Sequence, residues 1–144
     1  MASLREKVAA EQENIARALQ DLQNALTRPQ KGVIELAAAG TFLHNIYSGF
    51  ENILKQILQA HGATLPQTSS SHKDLVNLAV AKQIISQTLA DEIFPYLTFR
   101  HFFIHAYGFM LDDEPVLRLA TKIDAIHAHF NAEIETALQK ITPA

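Results

Sequence analysis

Hydrophobic residues recur at helical spacing along nearly the whole chain. Between about Ser3 and Thr27, the leucine, valine and isoleucine residues lie three, four or seven positions apart, and charged or amide residues fill most positions between them. This pattern predicts an amphipathic helix. Ser3 and Glu6 have the spacing of a capping box at its start, and Pro29 indicates its end.

The same spacing predicts further helices. The second helix runs from about Val33 to His61, and a third follows a cap at Ser71 and extends through Ala79. A fourth helix begins near Ser86, and the last one begins with Pro115 as its first helical residue. Pro95 interrupts the fourth pattern, so we expect a kink or a fresh helix start there. No segment shows the alternation typical of strands, and there is no internal repeat. We therefore predict one all-α domain over residues 1–144, an antiparallel bundle of four to five helices.

Composition and charge narrow the function classes. The chain has 144 residues, 48% hydrophobic and 19% charged, which excludes intrinsic disorder. It contains no cysteine, which excludes disulfides, thiolate catalysis and cysteine-based zinc sites. The formal net charge of −3 is not typical of a protein that wraps DNA, so we expect no DNA partner and only local contact with any other nucleic acid. Without an apolar signal core or a run of about 18 apolar residues, we expect a cytoplasmic protein with no membrane contact.

The segment from Phe94 to Leu111 contains seven of the eleven aromatic residues. A helix that is apolar nearly all round is buried on several sides. We expect one side to face the bundle core and another, including an exposed Phe103, to face a partner subunit. Arg100, His101 and His105 lie within this apolar stretch. Since charged groups are rarely buried unpaired, one interpretation is that Arg100 pairs with a carboxylate and the histidines are structural.

Arg100, His105 and Tyr107 form the pattern R-x4-H-x-Y. This pattern resembles the signature of the HEPN superfamily, and specifically of its HepT-like ribonuclease toxins. The resemblance extends to His72–Leu75 and to the stretch from Tyr47 to Leu54. It implies a metal-independent endoribonuclease that cleaves RNA by 2′-OH attack and leaves a cyclic phosphate, with no cofactor and no metal.

The resemblance also implies roles and partners. Arg100 would stabilise the charge that develops on the phosphate, and His105 would move a proton. Tyr107 would bind phosphate or hold His105. The protein would be the toxin of a toxin–antitoxin pair, and a small nucleotidyltransferase antitoxin would inactivate it, in some members by adenylylating the tyrosine that corresponds to Tyr107.

Helix geometry favours a shared site. Arg100 and His105 are about 140° apart around a straight helix, so one helix does not present both on one face. A homodimer with twofold symmetry along this segment would complete the site from both chains. The alternative is a non-catalytic HEPN-fold module that binds a nucleotide or a partner and is associated with a nucleotidyltransferase.

Two lesser hypotheses concern other polar residues. His101 and His105 have the i, i+4 spacing of two metal ligands, although no Glu follows His101. Glu51 lies among apolar neighbours and either orients Arg100 or is exposed. We interpret the remaining histidines as structural: His44, His61, His72, His127 and His129.

Overall fold

The computed structural model describes residues 2–29, 32–67, 71–105 and 113–141, apart from the side chains of Phe102, Ile104, His105, Asp113 and Glu114. These ranges form five helices: α1 (Leu4–Leu26), α2 (Val33–Ala60), α3 (Ser71–Ala81), α4 (Gln87–His105) and α5 (Asp113–Ile141). The predicted all-α bundle is confirmed, and no described residue lies in a strand. No helix within these ranges is long and apolar enough to cross a membrane.

Local signals set several helix ends as predicted. The Glu6 N–H donates to Ser3 Oγ at 3.1 Å and the Ser3 N–H donates to Glu6 Oε1 at 3.3 Å, which completes the capping box of α1. Gly62, just beyond α2, has φ of +79°, a conformation that glycine adopts without strain. At the start of α4, the Leu89 N–H donates to Ser86 Oγ at 3.0 Å.

Two expectations about helix ends were wrong. Ser71 is itself helical, so α3 begins one residue earlier than predicted, and α5 begins at Asp113, which makes Pro115 its third residue. A proline is tolerated there because the first turn of a helix has no internal partner for its N–H groups. For Pro95, the structure excludes a fresh helix start, because Pro95 lies inside α4, and the alternative of a kink there stays a prediction. Because proline has no N–H, the carbonyl of Asp91, four residues earlier, has no helical donor. Both residues lie on the exposed side of α4, so water can bind to that carbonyl instead.

The central element is α2, which contacts each of the other four helices. Its buried residues extend around most of its circumference. Phe50 of α2 stacks on Phe130 of α5 with ring centroids 4.3 Å apart, and both rings are fully buried. Side chains on α2 are therefore the ones that neighbours from several elements can reach.

Two glycines allow close packing against α2. A Cβ atom at Gly49 would lie 2.4 Å from Cγ1 of Ile15 in α1, and one at Gly40 would lie 2.7 Å from Cε1 of Phe103 in α4. Both distances are shorter than non-bonded carbon atoms tolerate. The second contact holds the half of α4 that carries Arg100 directly on α2.

The position of Phe103 corrects an expectation. Only 8% of this residue is exposed, and its ring stacks on Phe99 at a centroid distance of 5.7 Å. The prediction of an exposed Phe103 on a partner surface was wrong. The exposed residues of α4 near it, Thr98 and His101, lie on the opposite side of the helix, a signal in the sequence that the prediction did not use.

Candidate functional site

Arg100 is half-buried on α4. No carboxylate among the described side chains lies within ion-pair distance of its guanidinium. The simple structural interpretation, in which Arg100 pairs with an acid across the core, is therefore not realised by the described part of the chain. A half-buried guanidinium in such a setting is suited to binding an anion.

Tyr47 on α2, of which only 1% is exposed, lies within electrostatic range of Arg100. Burial raises the pKa of Tyr47 far above its ordinary value, the Glu51 carboxylate raises it further, and the Arg100 guanidinium opposes the shift. The hydroxyl forms no hydrogen bond of ordinary geometry with a described group. The Tyr47 hydroxyl is therefore a neutral polar group close to both Glu51 and Arg100.

Glu51 is buried, with 4% exposed, one turn along α2 from Tyr47. Its two carboxylate oxygens lie 2.8 and 2.9 Å from Nδ1 of His72, at the start of α3. A buried carboxylate is costly unless it is paired, and the imidazole N–H supplies the pairing. Of the two expectations for Glu51, exposure was wrong, and its hydrogen bonds go to His72 rather than to Arg100.

Tyr47, Glu51, His72 and Arg100 thus form one polar cluster, contributed by α2, α3 and α4, inside an otherwise apolar bundle. We call it the α2 polar cluster. Sequence reasoning took His72 to be structural and so missed its pairing. The available signal was Glu51 itself, since a carboxylate at a core position of a helix requires a partner. The sequence does not show which of the seven histidines supplies it.

Of the other two predicted site residues, only the backbone of His105 is described. His105 is the last residue of α4. Its side chain and the whole of Tyr107 lie outside the described residues. Arg100 and His105 belong to one continuous helix, so their backbone positions differ by about 140° around its axis, as expected. The joint site of Arg100, His105 and Tyr107 stays a prediction.

The metal hypothesis concerned His101 and His105. His101 is exposed on α4. No group of three or more histidine or acidic side chains among the described residues has an arrangement that could hold a metal ion. The pair of His101 and His105 itself includes a side chain beyond the described set.

A second histidine pairing links α4 to α5. Nδ1 of His129 lies 2.6 Å from Glu92 Oε1, and Nε2 lies 2.6 Å from Glu133 Oε2. Glu133 also accepts from the N–H and the hydroxyl of Ser86, at 2.6 and 2.7 Å. The hydrogen bond to Glu92 is the main cause that raises the pKa of His129. This group is a structural link at the start of α4, away from the α2 polar cluster.

Comparison with known families matches residues 38–141 to the family described as "HepT-like protein". The chain belongs to the HepT-like family. The matched region contains all four residues of the α2 polar cluster, together with His105 and Tyr107. No curated protein matches the sequence.

A solved structure has the same fold. It is described as the structure of the cytosolic protein of unknown function YutE from Bacillus subtilis. The two chains are 15% identical, the alignment covers 97% of this chain and 94% of that one, and the TM-score is 0.76. At this identity the similarity supports the arrangement of the five helices and nothing about chemistry.

Proposed function

We propose that this HepT-like protein is a metal-independent endoribonuclease of the HEPN type. The observation that carries the proposal is Arg100, which is half-buried within electrostatic range of Tyr47 and has no ion-pair partner among the described carboxylates. A half-buried guanidinium without a carboxylate partner among the described side chains can bind an anion. Family membership over residues 38–141 supports RNA as the source of that anion.

The proposed reaction is an intramolecular displacement at phosphorus. The 2′-oxygen of one nucleotide forms a bond to the adjacent phosphorus, the bond to the 5′-oxygen of the next nucleotide breaks, and the product carries a 2′,3′-cyclic phosphate. Arg100 stabilises the additional negative charge on the phosphoryl oxygens. His105 exchanges the proton that leaves the 2′-hydroxyl or reaches the departing 5′-oxygen. Tyr107 binds phosphate or holds His105.

The proposed assembly is a homodimer in which each cleft combines Arg100 of one chain with His105 of the other. In this arrangement Arg100 and His105 face the same cleft, although they lie on different sides of α4 within one chain. We propose that the protein acts as the toxin of a toxin–antitoxin pair and that a nucleotidyltransferase antitoxin adenylylates Tyr107. Because the similar protein from B. subtilis is described as cytosolic, we propose the cytoplasm as its compartment.

The decisive experiment is RNA cleavage in the presence of EDTA. We expect the purified protein to cut single-stranded RNA and to leave cyclic phosphate ends. Arg100→Ala and His105→Ala should each reduce the rate by about 100-fold or more, with an unchanged helical circular dichroism spectrum. The matched control is Arg118→Ala, which removes the same charge from an exposed position on α5 and should cleave normally.

Two results would contradict the proposal. Full activity in both variants would remove Arg100 and His105 from the site. Binding of RNA or nucleotide by the wild-type protein without any cleavage would favour the non-catalytic HEPN-fold module instead.

A further inference from the structure

A small cavity of about 190 Å³ lies where the end of α2, the segment that follows it and the start of α3 meet. Its described polar lining consists of Lys55, Gln67, Ser71 and His72, and the rest is apolar. The volume is below the roughly 300–1,000 Å³ of sites for whole small molecules. The cavity is therefore matched to a single chemical group rather than to a complete nucleotide.

His72 enters this cavity already oriented by Glu51. Both Glu51 oxygens accept from Nδ1, so that nitrogen carries a proton and the plane of the ring is held. Nε2 bonds to no described group, and 40% of the His72 side chain is exposed. The second nitrogen is thus available to a ligand, to which it donates when the ring is protonated.

Lys55 gives the cavity its charge. It lies one turn beyond Glu51 on the same side of α2 and is half-buried. No carboxylate among the described residues is within ion-pair distance of its ammonium group, and no described acidic side chain lines the cavity. Lys55 therefore supplies a positive charge to the cavity. The hydroxyl of Ser71 and the amide of Gln67 add neutral donors.

We propose that the Lys55–His72 cavity binds a phosphodiester group of the RNA strand, at a position separate from the bond cleaved beside Arg100. The proposal rests on the proposed ribonuclease function for the source of the phosphate. A compact ammonium is a common phosphate ligand, and an oriented imidazole adds a directed donor.

The two positions are related by the course of α2. Tyr47, Glu51 and Lys55 are spaced by four residues along α2, so they follow one another on the same helix face. Tyr47 lies within electrostatic range of Arg100, and Lys55 lies about 12 Å further along the α2 axis, from a rise of 1.5 Å per residue. One extended strand can therefore contact Arg100 and the cavity together.

The first experiment uses inorganic phosphate and the full chain. We follow the imidazole resonances of His72 by nuclear magnetic resonance during a phosphate titration near pH 6. We expect saturable shifts, with an affinity about tenfold weaker in Lys55→Gln, as the loss of one charge-assisted hydrogen bond implies. Lys82→Gln, which removes the same charge from an exposed position at the end of α3, should bind like the wild type. Shifts that do not saturate, or that are equal in the two variants, would overturn the site.

The second experiment distinguishes the sources of the phosphate group. In an Arg100→Ala background, which does not cleave, we compare a short single-stranded RNA with a nucleoside monophosphate. We expect the RNA to shift the His72 resonances at lower concentration, and Lys55→Gln to weaken that effect. A response to the monophosphate but not to RNA would overturn the assignment to a strand.

The two proposals fail separately. Phosphate binding at His72 in a wild-type protein that never cleaves RNA would contradict the ribonuclease and leave the site standing. Normal RNA cleavage without any phosphate response of His72 would contradict the phosphate site and leave the ribonuclease standing.

Discussion

At the scale of single residues, the informative feature is a carboxylate in the core. Glu51 occupies a position on α2 whose neighbours are apolar, and it is nearly inaccessible to water. Its burial is compatible with stability because His72 donates to both oxygens. His72 has a second nitrogen and partial exposure. The same pair can therefore stabilise the junction of α2 and α3 and present the second ring nitrogen to a ligand.

The Glu51–His72 pair predicts a specific pattern of stabilities. His72→Leu removes the donor and leaves a buried carboxylate unpaired, so we expect the free energy of unfolding to fall by about 1–3 kcal/mol. Adding Glu51→Leu should recover part of that loss, because replacing both partners by apolar groups is nearly neutral. Urea denaturation at pH 7 of both single variants and the double variant measures the coupling. His61→Leu at an exposed position serves as control, and strictly additive losses would show that the pair does not interact.

At the scale of helices, α4 and α5 are joined by the link from Glu92 through His129 to Glu133. Both imidazole nitrogens lie within 2.6 Å of carboxylate oxygens, so both donate and the ring is protonated in this arrangement. The pKa of His129 is accordingly raised above its usual value. Glu133 continues the link to Ser86, the residue that caps α4. The start of α4 is thus held on α5 through the His129 imidazole, whose charge depends on pH.

This link predicts a dependence of stability on pH. Since the pKa of His129 is higher in the folded chain than in the unfolded one, its contribution is fully present below the unfolded value of about 6.5 and is lost as the pH rises through the raised folded value. We expect the stability difference between wild type and His129→Gln to be larger at pH 6 than at pH 9. Thermal unfolding of both proteins across that range measures the difference.

The control for this test is His127. Burial lowers the pKa of His127, so its contribution has the opposite pH dependence and is lost as the pH falls. A His127→Gln variant should therefore change the pH profile in the other direction below about pH 6.5, so this control is measured down to about pH 5. A difference between wild type and His129→Gln that is constant from pH 6 to 9 would contradict the linkage.

At the scale of the whole molecule, Phe103 is buried within its own chain and is not available as a contact between two subunits. Within one chain, α4 already packs on α2, α3 and α5, which cover much of its apolar surface. A charge placed at Phe103 would damage the monomer's own core, so Phe103→Glu does not test association. The proposed homodimer is supported instead by the positions of Arg100 and His105, which lie on different sides of α4.

Mixing two inactive variants tests the shared site directly. If each cleft combines Arg100 of one chain with His105 of the other, a heterodimer of Arg100→Ala and His105→Ala retains one complete cleft. We expect the mixture, after subunit exchange, to recover a substantial share of wild-type ribonuclease activity, while each variant alone stays inactive. Analytical ultracentrifugation at micromolar concentration should show a dimer. A fully active monomer, or a mixture with no recovered activity, would contradict the composite cleft.

Local interactions determined much of this fold. The periodicity of apolar residues is a property of neighbouring positions, so the sequence alone predicted five helices, the capping box at Ser3 and the turn at Gly62. It also singled out Arg100, because a cation in an aromatic helix is unusual wherever that helix packs. The position of Pro115 was predicted less well, because a proline is compatible with more than one place in the first turn of a helix.

The surroundings of each residue were decided only by tertiary packing. The second half of α4 has few polar residues, and Phe103 was assigned to the wrong side although Thr98 and His101 mark the exposed one. The sequence indicated that a buried Glu51 requires a partner, but it did not show which of several histidines is that partner. The packing of α3 on α2 brings His72 to the carboxylate across 21 positions, and no pattern of neighbouring residues encodes that contact.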